Sequence, residues 1–231
     1  MSIRKRNRNT QKEIRNRNIV KQWSGKLRGV PAFVIGNSPA LNDLPVHLLK
    51  DTFTIGINRA FKKIPVTMLL WQDIELFYSE RENLLKLDSI LFSTSYADPI
   101  QIAYHYQIAS PQFQLSKNPA ILSGKGTSAP LAFQVAWALG CSPIILLGYD
   151  CQYRGEQTDF YGVNRDHKPH TLDMCSRGLK WIKEISEEKN IKTYSCNLSE
   201  YFQDTIVLES VLDQWDCRRG FEYYKNKLEV K

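Results

Sequence analysis

The 231-residue chain has no stretch approaching the roughly 18 uninterrupted apolar residues of a membrane span. Its first residues contain no apolar core of a secretory signal. The five cysteines, Cys141, Cys151, Cys175, Cys196 and Cys217, are scattered and form no C-x-x-C pair. An odd, dispersed set in a chain of this size points to reduced thiols and a cytoplasmic protein. H-E-x-x-H and G-x-S-x-G are absent, which weakens zinc-hydrolase and serine-hydrolase readings. G-x-G-x-x-G, the Walker A spacing and the D-x-D of metal-dependent sugar transferases are absent too. There is no internal repeat.

What remains is an ordinary globular composition, 42% hydrophobic and 24% charged, with an unusual distribution of charge. Residues 1–30 hold ten Lys/Arg against one acid, Glu13. The net charge of +7 therefore belongs to an N-terminal arm, and residues 31–231 are slightly acidic. Within the arm, Thr10-Gln11-Lys12-Glu13 fits a capping box that would start a helix. Ile19, Trp23 and Leu27 then form a narrow apolar stripe at i, i+4 and i+8. A basic arm suits a nucleic acid, through counterion release, or an anionic membrane surface. The plainer alternative docks the stripe on its own domain or on a second subunit of a homo-oligomer.

From residue 31 to 200, short apolar runs alternate with helical patterns. Strands are predicted at Ala32–Ile35, Phe53–Ile57, Val66–Trp71, Ile90–Ser93, Ile144–Leu147 and Ile191–Tyr194. Helices are predicted at about 42–50, 74–87, 127–139, 171–189 and 205–216, the third stopped by Gly140. Strands separated by helices make βαβ units, so the fold expected is α/β: a Rossmann-like, mostly parallel sheet with helices on both faces. Residues 201–231 are expected to be a C-terminal helical extension.

Ligands bind such sheets outside the carboxyl ends of the strands, so the loops there hold the candidate site. The first runs through Gly36, Asn37 and Ser38 toward Leu41, a small-residue turn that lets backbone N–H groups approach a phosphate or simply joins a strand to a helix. In "SGKGTSAPLAFQVAWALG", Lys125 lies between two glycines, and Thr127 and Ser128 open an apolar helix. A lysine, two hydroxyls and a helix N-terminus make an anion cradle, or Thr127 or Ser128 is an ordinary cap. Asn58, in "IGINRAF", suits a ribose hydroxyl or a base edge, or caps a turn. Asp73 and Asp150 follow the third and fifth strands and suit a ribose, a metal or an acceptor hydroxyl. His167 and His170 sit in the polar loop "RDHKPHTLD", where a neutral imidazole can take a proton from an attacking hydroxyl near pH 7. The structural alternative there is an exposed histidine.

The ordered set "VIGNSPAL", "INRAF", "GTSAPLAFQVAWALGC" and "IILLGYD" resembles two related groups. These are the archaeal 6-hydroxymethylpterin diphosphokinase (MptE-like) family and the bacterial lipooligosaccharide sialyltransferases. The resemblance spans roughly residues 31 to 200. The sialyltransferase group has a Rossmann-like sheet that holds a CMP-sugar. The resemblance implies that Gly36, Asn37 and Ser38 touch the nucleotide phosphate and ribose, and that Asn58 lies near the cytidine. It places Lys125, Thr127 and Ser128 beside the phosphate and Asp150 as the acid after the central strand. His170, in "KPHTLDMCSRGLKWIKEISEEKNIKTYSCN", matches a general-base histidine, with Tyr153 and Tyr161 near the leaving phosphate. Three positions depart from the pattern: Ser38 replaces the second Gly of the usual G-N-G-P-S-L turn, Ala40 its Ser, and Ala129 a Gly that commonly follows Thr-Ser.

The expectation is a nucleotide-dependent transferase moving a sugar from a CMP-type nucleotide-sugar donor to an unidentified acceptor hydroxyl. His170 is its base, and Lys125 and the helix terminus stabilise the leaving phosphate. In the diphosphokinase version ATP is the donor, and Asp73 and Asp150 hold Mg²⁺. A non-catalytic nucleotide- or nucleic-acid-binding module is the third reading.

Overall fold

A computed structural model describes residues 18–124, 126–164, 167, 170–217 and 222. The capping box at Thr10–Glu13, most of the basic arm and Lys125 lie outside the described residues. Among the described residues nine strands form: β1 Ala32–Ile35, β2 Thr54–Ile57, β3 Met68–Trp71, β4 Ile90–Ser93, β5 Tyr104–His105, β6 Gln107–Ser110, β7 Ile121–Ser123, β8 Ile144–Leu147 and β9 Thr193–Ser195. Four α-helices lie wholly within the described residues: α1 Ile74–Leu84, α2 Ala129–Leu139, α3 Thr171–Glu188 and α4 Leu208–Gln214.

Seven strands make one sheet in the order β5-β4-β3-β2-β1-β8-β9, and every neighbouring pair in it is parallel. β6 and β7 form a separate two-stranded ribbon. This is the doubly wound, Rossmann-like α/β architecture read from the sequence. Its cause is visible in the central strands: AFVI, TIGI, MLLW and IILL are buried at every position, as a parallel sheet covered on both faces requires. Side chains alternate between faces, so one core takes Val34, Ile55, Leu70 and Leu146 together with α2 and α3. The opposite core takes Phe33, Ile35, Leu69 and Leu147 together with α1 and α4.

One predicted element comes out differently, and three strands were not predicted. The expected helix over 42–50 is instead a pair of 3₁₀ turns, Pro39–Asp43 and Val46–Leu49. Pro45 lies between them, and a proline inside a helix removes a donor and clashes with the preceding turn. The strands β5, β6 and β7 went unforeseen because they are two to four residues long and β6 is only half-buried, so no apolar run marks them.

The apolar stripe at the end of the arm packs on the chain's own core. Trp23 is 1% exposed and Leu27 fully buried, while Ile19 packs at the margin, with Val20 joining the buried set. The Trp23 ring meets Tyr104 edge-on at 4.9 Å and Phe92 at 6.1 Å. Backbone N–H groups of Gly25, Leu27 and Gly29 donate to the carbonyls of Ala138, Leu139 and Gly140. Those are end-of-helix acceptors of α2 that lack intrahelical donors, so the docked segment caps the helix from outside. Gly140 itself takes the left-handed conformation, φ 88°, that lets the chain turn out of α2. At the other end of the chain, Phe202, Leu208, Val211 and Cys217 are buried in the two cores. All five cysteines are free thiols, and among the described residues no helix is long and apolar enough to cross a membrane.

Candidate active site

The strand order reverses between β1 and β8, and the carboxyl ends of these two strands open on a cleft of about 950 Å³. A crevice at this switch point is where open α/β sheets take ligands. Of the residues predicted for the site, Asn37, Ser38, Asn58, Asp73, Thr127, Ser128, Tyr153, Tyr161 and His170 all line it. Loops far apart in sequence therefore converge as expected. Gly36 and Asp150 lie at its base without lining it, and Lys125 is outside the described residues.

Gly36 sits where β1 and β8 run closest. Its N–H donates to Leu147 O at 2.7 Å, and the Ser38 N–H donates to Gly148 O at 3.2 Å. A Cβ at position 36 would lie 2.2 Å from Gly148 O, so no larger residue fits while the two loops keep this spacing. Ser38, the departure from the usual glycine, has a job of its own. Its hydroxyl accepts from Ala40 N and donates to the carboxylate of Asp150, which is 8% exposed. Asp150 therefore braces the first turn from behind rather than facing a ligand.

Asn37 donates through Nδ2 to Ile57 O at 3.1 Å, which ties the first loop to the second. Its Oδ1 is buried with no partner among the described residues. Asn58 stands just after β2 with φ 50°, a left-handed conformation that asparagine tolerates better than most residues. Its Oδ1 is likewise buried and unpartnered. Tyr149, 7% exposed, lines the same cleft, and its hydroxyl too has no partner. Buried polar atoms are nearly always satisfied, so three such atoms bordering one cleft mark places where a ligand supplies the missing hydrogen bonds.

Opposite, α2 begins at Ser128, which lies at the cap position with no side-chain cap bond. The Ser128 hydroxyl instead accepts from Gln72 Nε2 at 3.2 Å, and the Thr127 hydroxyl meets the Cys175 thiol. The start of α2 borders the cleft through Thr127, Ser128 and the buried Ala129, and Pro130 leaves its first turn one N–H fewer. The connection into α2 is fixed by Gln134, fully buried, which accepts from Ser123 N and donates to Ser123 O.

Three features were missed by sequence reasoning. Asn197 is 8% exposed and accepts from Gly148 N at 2.6 Å, locking the loop after β8. Arg59, next to Asn58, lines the cleft and donates to Glu80 at 2.9 Å, to Ser79 and to the Tyr161 hydroxyl. Burial pushes the Tyr161 phenol up to about 12, with Asp159 adding to the rise and Arg59 opposing it. The third feature is a line of three side chains joined by one ion-pair contact and one hydrogen bond. His167 Nε2 lies 3.3 Å from Asp159 Oδ2, and its Nδ1 lies 3.2 Å from the Tyr153 hydroxyl. Burial raises the Asp159 carboxyl above its ordinary range, and His167 pulls the other way. Asn197 acts through Gly148, 49 residues away in sequence, and Asp159 carries no motif that singles it out.

Among the described residues no group of three or more His, Cys, Asp or Glu is arranged to hold a metal ion. Of the two acids expected to hold Mg²⁺, Asp73 lines the cleft, whereas Asp150 does not line it and accepts from Ser38. No family model matches the chain, and no curated protein matches it.

Proposed function

We propose that the chain is a nucleotide-dependent transferase whose donor is a nucleotide-sugar of the CMP type and whose acceptor is a hydroxyl compound. The observation that carries this reading is the convergence of Asn37 Oδ1, Asn58 Oδ1 and the Tyr149 hydroxyl on one cleft at the switch point. Two carboxamide oxygens ask for donors, which the ribose hydroxyls and the exocyclic amine of cytosine supply. The open start of α2, with Thr127 and Ser128, suits the phosphate. The resemblance of the loop motifs to the lipooligosaccharide sialyltransferases supports the same donor and assigns the base to His170, which lines the cleft.

The diphosphokinase reading, with ATP and Mg²⁺, finds less support because Asp150 is turned into the fold. A thermal-shift screen of CMP, CDP, UDP, GDP and ATP with Mg²⁺ separates the readings. Stabilisation by CMP supports the sugar transferase. Stabilisation by ATP only with Mg²⁺ replaces it with the kinase. No shift from any nucleotide leaves a module without this chemistry.

A further inference from the structure

His167 is the better held of the two loop histidines. Both its ring nitrogens have side-chain partners, Asp159 at 3.3 Å and Tyr153 at 3.2 Å. Asp159 is 5% exposed and His167 22%, whereas Tyr153 reaches the open cleft at 37%. His170 occupies the N-cap position of α3 and makes no side-chain hydrogen bond to a described residue.

The partners also fix the direction of the bonds. The Asp159 carboxylate accepts only, so at 3.3 Å it favours the tautomer of a neutral His167 with its proton on Nε2, which leaves Nδ1 as an acceptor. The Tyr153 hydroxyl then donates to Nδ1, and its oxygen lone pairs face the cleft.

We propose that Tyr153, His167 and Asp159 form a proton relay in which the Tyr153 oxygen takes the acceptor's proton during transfer. This rests on the transferase reading and names a different base from His170. The acceptor O–H bond breaks and its proton passes to the Tyr153 oxygen, while the Tyr153 proton passes to His167 Nδ1. The acceptor oxygen forms its bond to the sugar's anomeric carbon as the bond from that carbon to the nucleotide phosphate breaks. The electron pair of that bond leaves with the phosphate. The imidazolium is held by the Asp159 carboxylate until the proton returns through Tyr153 to solvent. Tyr153 is the catalytic residue; His167 stores the proton, and Asp159 positions His167. The other titratable groups facing this line are His170, Tyr161 and Cys175, all on the cleft wall.

The test uses the full chain and a CMP-sugar, with water as the acceptor, and follows CMP release against pH. Tyr153→Phe and His167→Ala are expected to lower turnover by about 100-fold or more, the usual scale of general base catalysis, with KM within about threefold. Asp159→Asn is expected to cost about tenfold through misorientation. The rise of rate with pH is expected to vanish in His167→Ala and to persist in His170→Gln. Nitrogen-15 NMR of the ligand-free protein is expected to show His167 as the Nε2–H tautomer. Wild-type turnover in Tyr153→Phe, a pH limb that follows His170 instead of His167, or an Nδ1–H tautomer overturns the relay alone. Wild-type protein that neither binds CMP nor releases it from the donor overturns both the relay and the transferase reading.

Discussion

Gly36→Ala tests whether the meeting of β1 and β8 is as tight as the site requires. The added Cβ would lie 2.2 Å from Gly148 O, 3.0 Å from Gly148 C and 3.1 Å from Tyr149 Cε1. An ordinary contact needs about 3.4 Å, so the backbone carbonyl has to move by more than an ångström. It is not free to do so. Gly148 O accepts from Ser38 N, and Gly148 N is held by Asn197 at 2.6 Å. Overpacking of a filled site typically costs 1–3 kcal/mol, and a clash with fixed backbone belongs at the top of that range, about 3 kcal/mol. The assay is urea unfolding, read as a lower midpoint at unchanged slope. Gly155→Ala is the control, because nothing lies within 4 Å of that position and only its φ of 59° is strained. The control should lose about 1–2 kcal/mol. The clash argument is refuted if Gly36→Ala unfolds within about 0.5 kcal/mol of wild type, or loses less than Gly155→Ala. The same substitution is expected to abolish nucleotide binding, since it parts Asn37 from the loop after β8.

Other consequences follow from named contacts. Trp23→Ala removes a ring that is 1% exposed and packed on Phe92 and Tyr104, so about 3–5 kcal/mol is expected from urea unfolding; an unchanged midpoint would place the docked segment outside the core. At Glu80 burial works to raise the pKa, but hydrogen bonds from Lys62, Asn83 and Arg59 outweigh it and the net shift is downward. A depressed carboxyl gives stability above its unfolded pKa of about 4.3 that is lost as pH falls through the folded value. Glu80→Gln should therefore cost about 1–3 kcal/mol at pH 7 and flatten the acid limb of the stability curve; a wild-type limb in the variant contradicts this. Asp159 is shifted the other way, chiefly by burial. Between its unfolded pKa of about 3.9 and its raised folded value the native state holds the extra proton, so stability falls as pH rises through that window. Asp159→Asn should remove that fall while lowering turnover, a separation that calorimetry and CMP release measure together.

The sheet was legible because its strands are short all-apolar runs that end in Gly, Asn or Asp, and a parallel sheet buried on both faces leaves no other choice for AFVI or IILL. The site was legible to the extent that it follows from strand ends: Asn37, Asn58 and Thr127 could be placed together by the topology rule alone. What the sequence concealed depends on contacts across the fold. Asp150 has the position of a ligand-binding acid, but Ser38, 112 residues away in sequence, claims it. Asn197 and Gln134 are polar residues whose roles exist only once Gly148 and Ser123 lie beside them. His167 and His170 are three residues apart and look equivalent in the sequence. Asp159 and Tyr153 distinguish them. The predicted helix over 42–50 failed for a local reason, Pro45, that helical periodicity alone does not weigh.

The central claim is that the cleft between the ends of β1 and β8 takes a nucleoside phosphate through side-chain oxygens that have no partner among the described residues. Titration calorimetry of CMP into wild type and into Asn58→Gly addresses it directly, because glycine keeps the left-handed backbone at this position and deletes only the side chain. The account predicts one saturable site in the wild type and about tenfold weaker binding in the variant, the scale of one lost hydrogen bond. Absence of binding to the wild type, or equal affinity in both proteins, would contradict it.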